Sequence, residues 1–230
     1  MPSYVLWDID NTLLYTGGAG SLGMRRAFND LYGVDDAFGR VEFSGRTDTA
    51  IFADAAHACG IEPERMGGEL VRFLDAYIPH LQMALQEVEG KLMPGIGKLL
   101  EALDARDDVV MGLGTGNFRR GGEMKLVHYG IDRYFPGFVG GFGEDSPSRD
   151  EVVRLAIERL TEGRANGDRV VVVGDTPHDI AAAHANGAFA FGVATGRNPV
   201  DELLACGADV ALASLDDVDR VVSIIVHATA

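Results

Sequence analysis

The sequence predicts an α/β fold: a parallel β-sheet with helices on both faces, and an all-helical module inserted after the first strand. Three observations predict it. From Met93 onward, strand-like apolar runs alternate with helical patterns. One further strand-like run, Tyr4 to Ile9, stands alone near the start. Between them, residues 17 to 91 carry helical periodicity and no convincing strand.

Taken in order, Tyr4 to Ile9 is apolar apart from Asp8 and reads as a buried strand. Tyr15-Thr16-Gly17-Gly18-Ala19-Gly20 is a Gly-rich turn. Ser21 to Tyr32 places Leu22, Ala27, Phe28 and Leu31 at helical spacing and stops at Gly33. Residues 34 to 46 read as loop. Thr47 is placed to cap a helix running to Cys59, with Ile51, Phe52, Ala55 and Ala58 on one face and Gly60 ending it. Pro63 opens a helix through Leu74 and Tyr77, and a separate helix is expected from Pro79 to Val88.

Met93-Pro94-Gly95 connects to an amphipathic helix, Ile96 to Ala105. Val109 to Leu113 is a strand ending at Gly114-Thr115-Gly116-Asn117, followed by a helix from Arg120 to Tyr129 closed by Gly130. Phe138-Val139 is expected as a short strand. Ser148 to Leu160 is a helix whose Ser148 and Glu151 fit a capping box. Then come strand Arg169 to Val173, helix Pro177 to Asn186 and strand Ala188 to Val193. Helix Pro199 to Cys206, strand Asp209 to Leu212 and helix Leu215 to His227 complete the order. Two units follow: an α/β core of residues 1–16 and 92–230, and a helical cap of residues 17–91. The crossings near Thr16–Gly20 and Leu92–Gly95 would act as a hinge.

With 230 residues and 47% hydrophobic side chains, the chain has ample material for one large domain with an insertion. A formal net charge of −15 argues against nucleic-acid and anionic-membrane partners. Cys59 and Cys206 read as free buried thiols suited to a reducing cytoplasm. No signal peptide is expected from Met1-Pro2-Ser3-Tyr4, and no run reaches the ~18 apolar residues of a membrane span.

Chemistry concentrates at strand ends. Asp8 and Asp10 follow the first strand, Thr115 the second, and Asp175 and Asp179 the Val170–Val173 strand. In a parallel sheet these carboxyl ends share one edge, where ligands bind. Two carboxylates at the end of a buried strand are costly without a cation. Thr176-Pro177-His178-Asp179 also has a local reading as a helix start, with Thr176 as cap. Arg149 falls in the first turn of a helix, where the dipole disfavours a cation by about 0.3–1 kcal/mol. An anion would offset that. His178 is read as facing solvent, without a role.

The ordered set Asp8-x-Asp10-x-Thr12, Thr115, a basic residue at a helix start, and Gly174-Asp175-x-x-x-Asp179 resembles the haloacid dehalogenase superfamily, in its phosphoglycolate phosphatase-like branch. The resemblance covers nearly the whole chain and implies a Rossmann-like core with an inserted helical cap. It departs at Asn11, where Gly is commoner, and at Pro147-Ser148-Arg149, where the family usually has Lys. Lys125 is the alternative basic group.

What the resemblance implies is a Mg2+-dependent phosphatase of a small phosphorylated metabolite. Asp8 would be the nucleophile and Asp10 the general acid and base. Asp8, Asp175 and the Asp10 carbonyl would hold the metal. Thr115, Gly116, Asn117 and Arg149 would bind the phosphoryl group, and Asp179 would support Arg149 or a metal-bound water. Arg46, and less directly Arg25, would meet the rest of the substrate. The acid at position 10 favours phosphoryl transfer over dehalogenation. A β-phosphoglucomutase-type mutase and a non-catalytic metabolite sensor stay open as alternatives, as do monomer and homodimer.

Overall fold

β1 (Ser3–Trp7) lies inside a six-stranded sheet and is paired in parallel on both sides, with β4 (Val109–Gly114) and with β6 (Arg169–Gly174). The computed structural model describes residues 2–39, 41–61, 66–162 and 169–227. With β5 (Gly140–Gly141), β7 (Phe189–Val193) and β8 (Val210–Leu212), the strand order is β5-β4-β1-β6-β7-β8, all parallel. The chain leaves β1 toward one edge and returns through β6 to the other. β1 therefore borders the point where strand order reverses, which is where open sheets place ligands.

A strand buried on both faces needs apolar residues in both phases of its pleat, and β1 has them. Val5 and Trp7 pack with Leu99, Leu100 and Leu103 of α4 (Ile96–Asp104), and with Val221 and Ile225 of α9 (Val218–His227). Leu6 faces the opposite layer, with Val153 and Ala156 of α6 (Arg149–Leu160), Ile180 of α7 (Pro177–Ala185) and Leu203 of α8 (Val200–Ala205). Each large apolar side chain so buried contributes about 1.5–3 kcal/mol relative to exposure.

The insert comprises α1 (Ala19–Tyr32), α2 (Asp48–Ala58) and α3 (Met66–Glu87) around Phe28, Phe52, Phe73 and Tyr77. Thr47 caps α2 as expected, its Oγ1 accepting from the Ala50 amide at 3.2 Å. Gly33 ends α1 in the left-handed conformation, φ 68°. The two chain crossings are tied by an antiparallel ladder between β2 (Leu14–Tyr15) and β3 (Lys91–Leu92).

Four local expectations change. The break expected at Pro79 is absent, and α3 runs through it. Pro79 faces solvent, while Phe73, Tyr77, Leu81 and Leu85 continue one buried stripe across it. That packing offsets the ~3 kcal/mol a helix-interior proline costs. The opening at Pro63 lies outside the described residues. The capping box at Ser148 does not form: Ser148 makes no side-chain cap bond, its amide donates to Ser146 Oγ at 3.1 Å, and Glu151 turns to Arg154 at 2.7–2.8 Å. The short strand falls at Gly140–Gly141, which carry no β propensity, while Phe138 belongs to a 3-10 turn. Both cysteines are free, but Cys206 is exposed and Cys59 only half-buried. Among the described residues, no helix is long and apolar enough to cross a membrane.

Candidate active site

Sheet register sets the site. Trp7 pairs with both Leu113 and Val173, so Asp8 is level with Gly114 and Gly174, with Thr115 and Asp175 one residue further. The Asp8 amide extends the ladder to the Val173 carbonyl at 3.0 Å. Asp10 follows on a tight loop in which the Leu13 amide donates to the Ile9 carbonyl at 3.0 Å. That loop puts Asn11 at φ 61°. Only Gly and, among the rest, chiefly Asn or Asp adopt this region readily, which accounts for Asn where the related pattern has Gly.

The two aspartates have different partners. Asp8 Oδ1 accepts from Arg149 Nη2 at 2.8 Å. The same Nη2 donates to Asp179 Oδ1 at 2.7 Å and to the Gly114 carbonyl at 2.8 Å. Asp179 meanwhile uses Oδ2 to accept from the Thr176 amide at 3.1 Å and hydroxyl at 2.7 Å, completing the capping box of α7. One Asp179 oxygen thus serves the helix cap and the other contacts Arg149. Gly174 makes room for this: a Cβ there would lie 2.3 Å from the Asp179 carboxyl carbon.

Asp10 Oδ2 instead accepts from Lys125 Nζ at 2.5 Å and from Asn117 Nδ2 at 2.8 Å. Asn117 also donates to Thr115 Oγ1 at 2.8 Å, and its own Oδ1 accepts from Lys125 at 2.5 Å. In these bonds the fully buried Thr115 hydroxyl only accepts, so its hydrogen is left to donate elsewhere. Both cations lie at the aspartate pair, Arg149 beside Asp8 and Lys125 beside Asp10.

The cap loop closes over these residues. The Asp48 amide donates to the Gly116 carbonyl at 2.7 Å, and Asp48 Oδ2 accepts from the Phe118 amide at 2.8 Å. A Cβ on Gly116 would lie 2.2 Å from the Arg46 carbonyl oxygen, so only glycine lets the loop approach this closely. Beneath the loop is a cavity of about 270 Å³, bordered by Asp8, Asp10, Asn117, Lys125, Arg149 and Asp175. Met24, Phe43 and Ile51 add an apolar part to its lining, with Tyr77 and Arg197. Arg46 borders the cavity, but its guanidinium is paired with Asp54 at 2.7 Å. Arg25 lies outside it, paired with Asp36 at 3.4 Å. His178 is exposed, as expected.

Asp48 was given no role by sequence reasoning. Its aspartate at a helix start has a sufficient local explanation, and only the meeting of cap and core shows its other partner. Lys125 left a trace: Gly121 and Lys125 lie four residues apart on one face of α5 (Arg119–His128), and Asn117 stands four residues before Gly121, just ahead of the helix.

Burial and charge make the site short of positive charge. Among the described residues, Asp8, Asp10 and Asp179 are ion-paired to Arg149 or Lys125, and Lys125 also opposes the burial of Asp48, while Asp175 has no such partner. Burial pushes Asp175 up to about 9, helped by the charges of Asp179, Asp8 and Asp10. Burial raises Asp8 to about 7 against the opposing pull of Arg149. Asp48 is also raised to about 7 by burial, against Lys125 and the Phe118 amide.

Of the six buried side-chain atoms without a hydrogen-bond partner among the described residues, the acceptor Asp175 Oδ2 and the donor Arg149 Nη1 belong to the site. Carboxylate oxygens of Asp8, Asp175 and Asp179 lie within 4.8 Å of one another. An orphaned acceptor in an acidic cluster fits a hard cation, and an orphaned guanidinium donor fits an anion beside it. Asp179 is the least suited of the three to a metal, since both its oxygens are engaged. Replacing Arg149 by Met should cost about 3–5 kcal/mol of stability, because it strands buried carboxylates. A chemical-denaturation midpoint unchanged from wild type would refute that.

No curated protein matches the sequence. Solved structures do. A predicted phosphatase from Clostridium acetobutylicum is 21% identical, covers 97% of this chain and 99% of its own, and superposes with a TM-score of 0.70. A predicted phosphoglycolate phosphatase from Haemophilus somnus 129PT is 17% identical over 96% and 98% of the two chains, TM-score 0.62. A provisionally assigned β-phosphoglucomutase from Thermotoga maritima is 21% identical over 96% and 98%, TM-score 0.61. At these identities the likeness speaks for the fold. The family follows from the sequence itself, whose residues 5–193 match the model of the haloacid dehalogenase-like hydrolases, and the chain belongs to that family.

Proposed function

We propose that the protein is a Mg2+-dependent phosphatase of small phosphorylated metabolites, working through an aspartyl-phosphate on Asp8. The observation that carries this reading is the unequal pair at the end of β1, with Asp8 held by Arg149 and Asp10 by Lys125 and Asn117. One carboxylate is thereby assigned to attack and the other to proton transfer.

An oxygen of Asp8 attacks phosphorus as the ester P–O bond breaks. Asp10 acts as the general acid that gives a proton to the departing oxygen. The resulting Asp10 carboxylate takes a proton from water, which attacks the aspartyl-phosphate and frees inorganic phosphate. Arg149 Nη1 and the Thr115 hydroxyl are the donors assigned to the phosphoryl oxygens, whose charge they stabilise as it shifts. Asp8, Asp175 and the Asp10 carbonyl are the assigned magnesium ligands. When bound, the cation supplies charge neutralisation that lets a carboxylate approach a phosphate dianion. Asp179 is left to hold Arg149 in place.

The cavity falls below the ~300–1,000 Å³ typical of drug-sized ligands, and part of its lining is apolar. The substrate class is accordingly a compact phosphate monoester. With Arg46 paired to Asp54 at 2.7 Å, recognition of a second anionic group falls to Arg197 of the core, whose side chain is 83% exposed and only loosely paired, 3.8 Å from Glu42. A panel of phosphorylated metabolites, assayed for inorganic phosphate release with Mg2+, tests the reading. We expect turnover of small monoesters and weak turnover of nucleotides. A sugar phosphate isomerised without phosphate release would replace the phosphatase with a mutase.

A further inference from the structure

Lys125 takes part in none of the bond-making steps above, yet among the described residues it and Arg149 are the cations ion-paired to the site carboxylates. It is 2% exposed. A buried ammonium is costly unless fully paired, and Lys125 has two short bonds, to Asp10 Oδ2 and Asn117 Oδ1, both 2.5 Å. Asp10 does not need it for solvation, since its own side chain is 36% exposed. The surroundings are tight: a Cβ on Gly20 would lie 3.4 Å from Lys125 Nζ. Gly121 is buried on the same face one turn before Lys125, and a Cβ there would lie 3.3 Å from the Tyr77 ring.

The bonds at Asp10 are lopsided. Oδ2 accepts from both Lys125 and Asn117, whereas Oδ1 accepts only a long 3.5 Å bond from Thr16 at the chain crossing. We infer that Lys125 is a positioning residue for the proton-transfer aspartate: with Asn117 it fixes Oδ2, so that Oδ1 is the oxygen that carries the proton to the leaving group. Lys125 itself transfers no proton. The Oδ1–H bond breaks as the leaving oxygen gains its hydrogen, while the Asp8–phosphorus bond forms and the ester bond breaks. The inference rests on the phosphatase reading and adds a second cation with a separate task. Arg149 serves the attacking side, and Lys125 serves the leaving side.

Leaving-group basicity provides the test. Phenyl phosphate and p-nitrophenyl phosphate are close in shape, but phenolate is much the more basic leaving group and needs the proton more. We would measure kcat/KM, which reports steps through ester cleavage, for wild type and Lys125→Met with Mg2+. General acid catalysis contributes about 10²–10⁴-fold where it is needed. On that scale the variant should lose about 30- to 100-fold on phenyl phosphate and about threefold on p-nitrophenyl phosphate. Equal losses on both esters would overturn the inference, since they would mean a phosphate-binding or purely structural role. So would no loss on either. A wild type inactive on both esters would instead sink the phosphatase reading itself. If Lys125→Met does not fold, Lys125→Gln, which keeps a donor on a long stem, is read by the same ratio.

Discussion

Asp8→Asn is expected to abolish turnover while leaving the fold intact. The amide is nearly isosteric with the carboxylate but cannot form the phosphoryl ester, so loss of the nucleophile removes the whole two-step route. Comparable nucleophile deletions cost about 10⁴- to 10⁶-fold. The fold should tolerate the change because the charge it removes is one that burial opposes, as the rise of Asp8 to about 7 records. Arg149 keeps Asp179 and the Gly114 carbonyl as acceptors, and an Asn side-chain oxygen can still accept from it. The checks are phosphate release from p-nitrophenyl phosphate and a thermal melt of the same sample. A variant retaining a tenth of wild-type activity would end the assignment of Asp8 as nucleophile. A variant that lost activity only by unfolding would show its melt transition displaced or missing.

That Asp8 could be singled out at all follows from a pattern that local physics writes clearly. A run buried on both faces must be apolar throughout, so charges at its end stand out, and the same holds for Val170 to Val173 before Asp175. Residues more than 160 positions apart meet because parallel strands align their carboxyl ends. Sequence was less informative wherever two local rules competed or a partner came from elsewhere. Pro79 carries a strong helix-breaking signal, but the ring faces water and the buried stripe of α3 prevails. Ser148 and Glu151 have capping-box spacing, but Arg154 one turn on is the better partner for Glu151. Arg46 borders the cavity, but its guanidinium is paired with Asp54, eight residues on. For Asp48 and Lys125 the decisive neighbours, Phe118 and Asp10, are about 70 and 115 residues away. No periodicity can display such a pair.

Removing the divalent cation should have the other large effect, and its pH dependence separates a resident metal from a merely acidic site. Treatment with EDTA should lower turnover by at least about 100-fold, since a catalytic metal supplies several kcal/mol of charge stabilisation. Stability then follows from protonation. In the metal-free protein Asp8 and Asp175 are raised to about 7 and about 9, above the ordinary 3.8 they regain on unfolding. Between about pH 4 and pH 9 the folded state therefore holds more protons than the unfolded chain, and stability falls as pH rises. The penalty is absent below pH 4, where both states are protonated, and complete above pH 9. A cation binds the ionised carboxylates and must displace those protons at low pH. The rise in Tm on adding Mg2+ should accordingly be larger at pH 8.5 than at pH 6, with Asp175→Asn losing most of it at both. Asp175→Asn should also flatten the fall in metal-free Tm over this range, because the amide does not titrate. If Mg2+ raised Tm equally at both pH values in wild type and variant, the cation would be acting away from Asp175, and the orphaned Oδ2 would need another ligand.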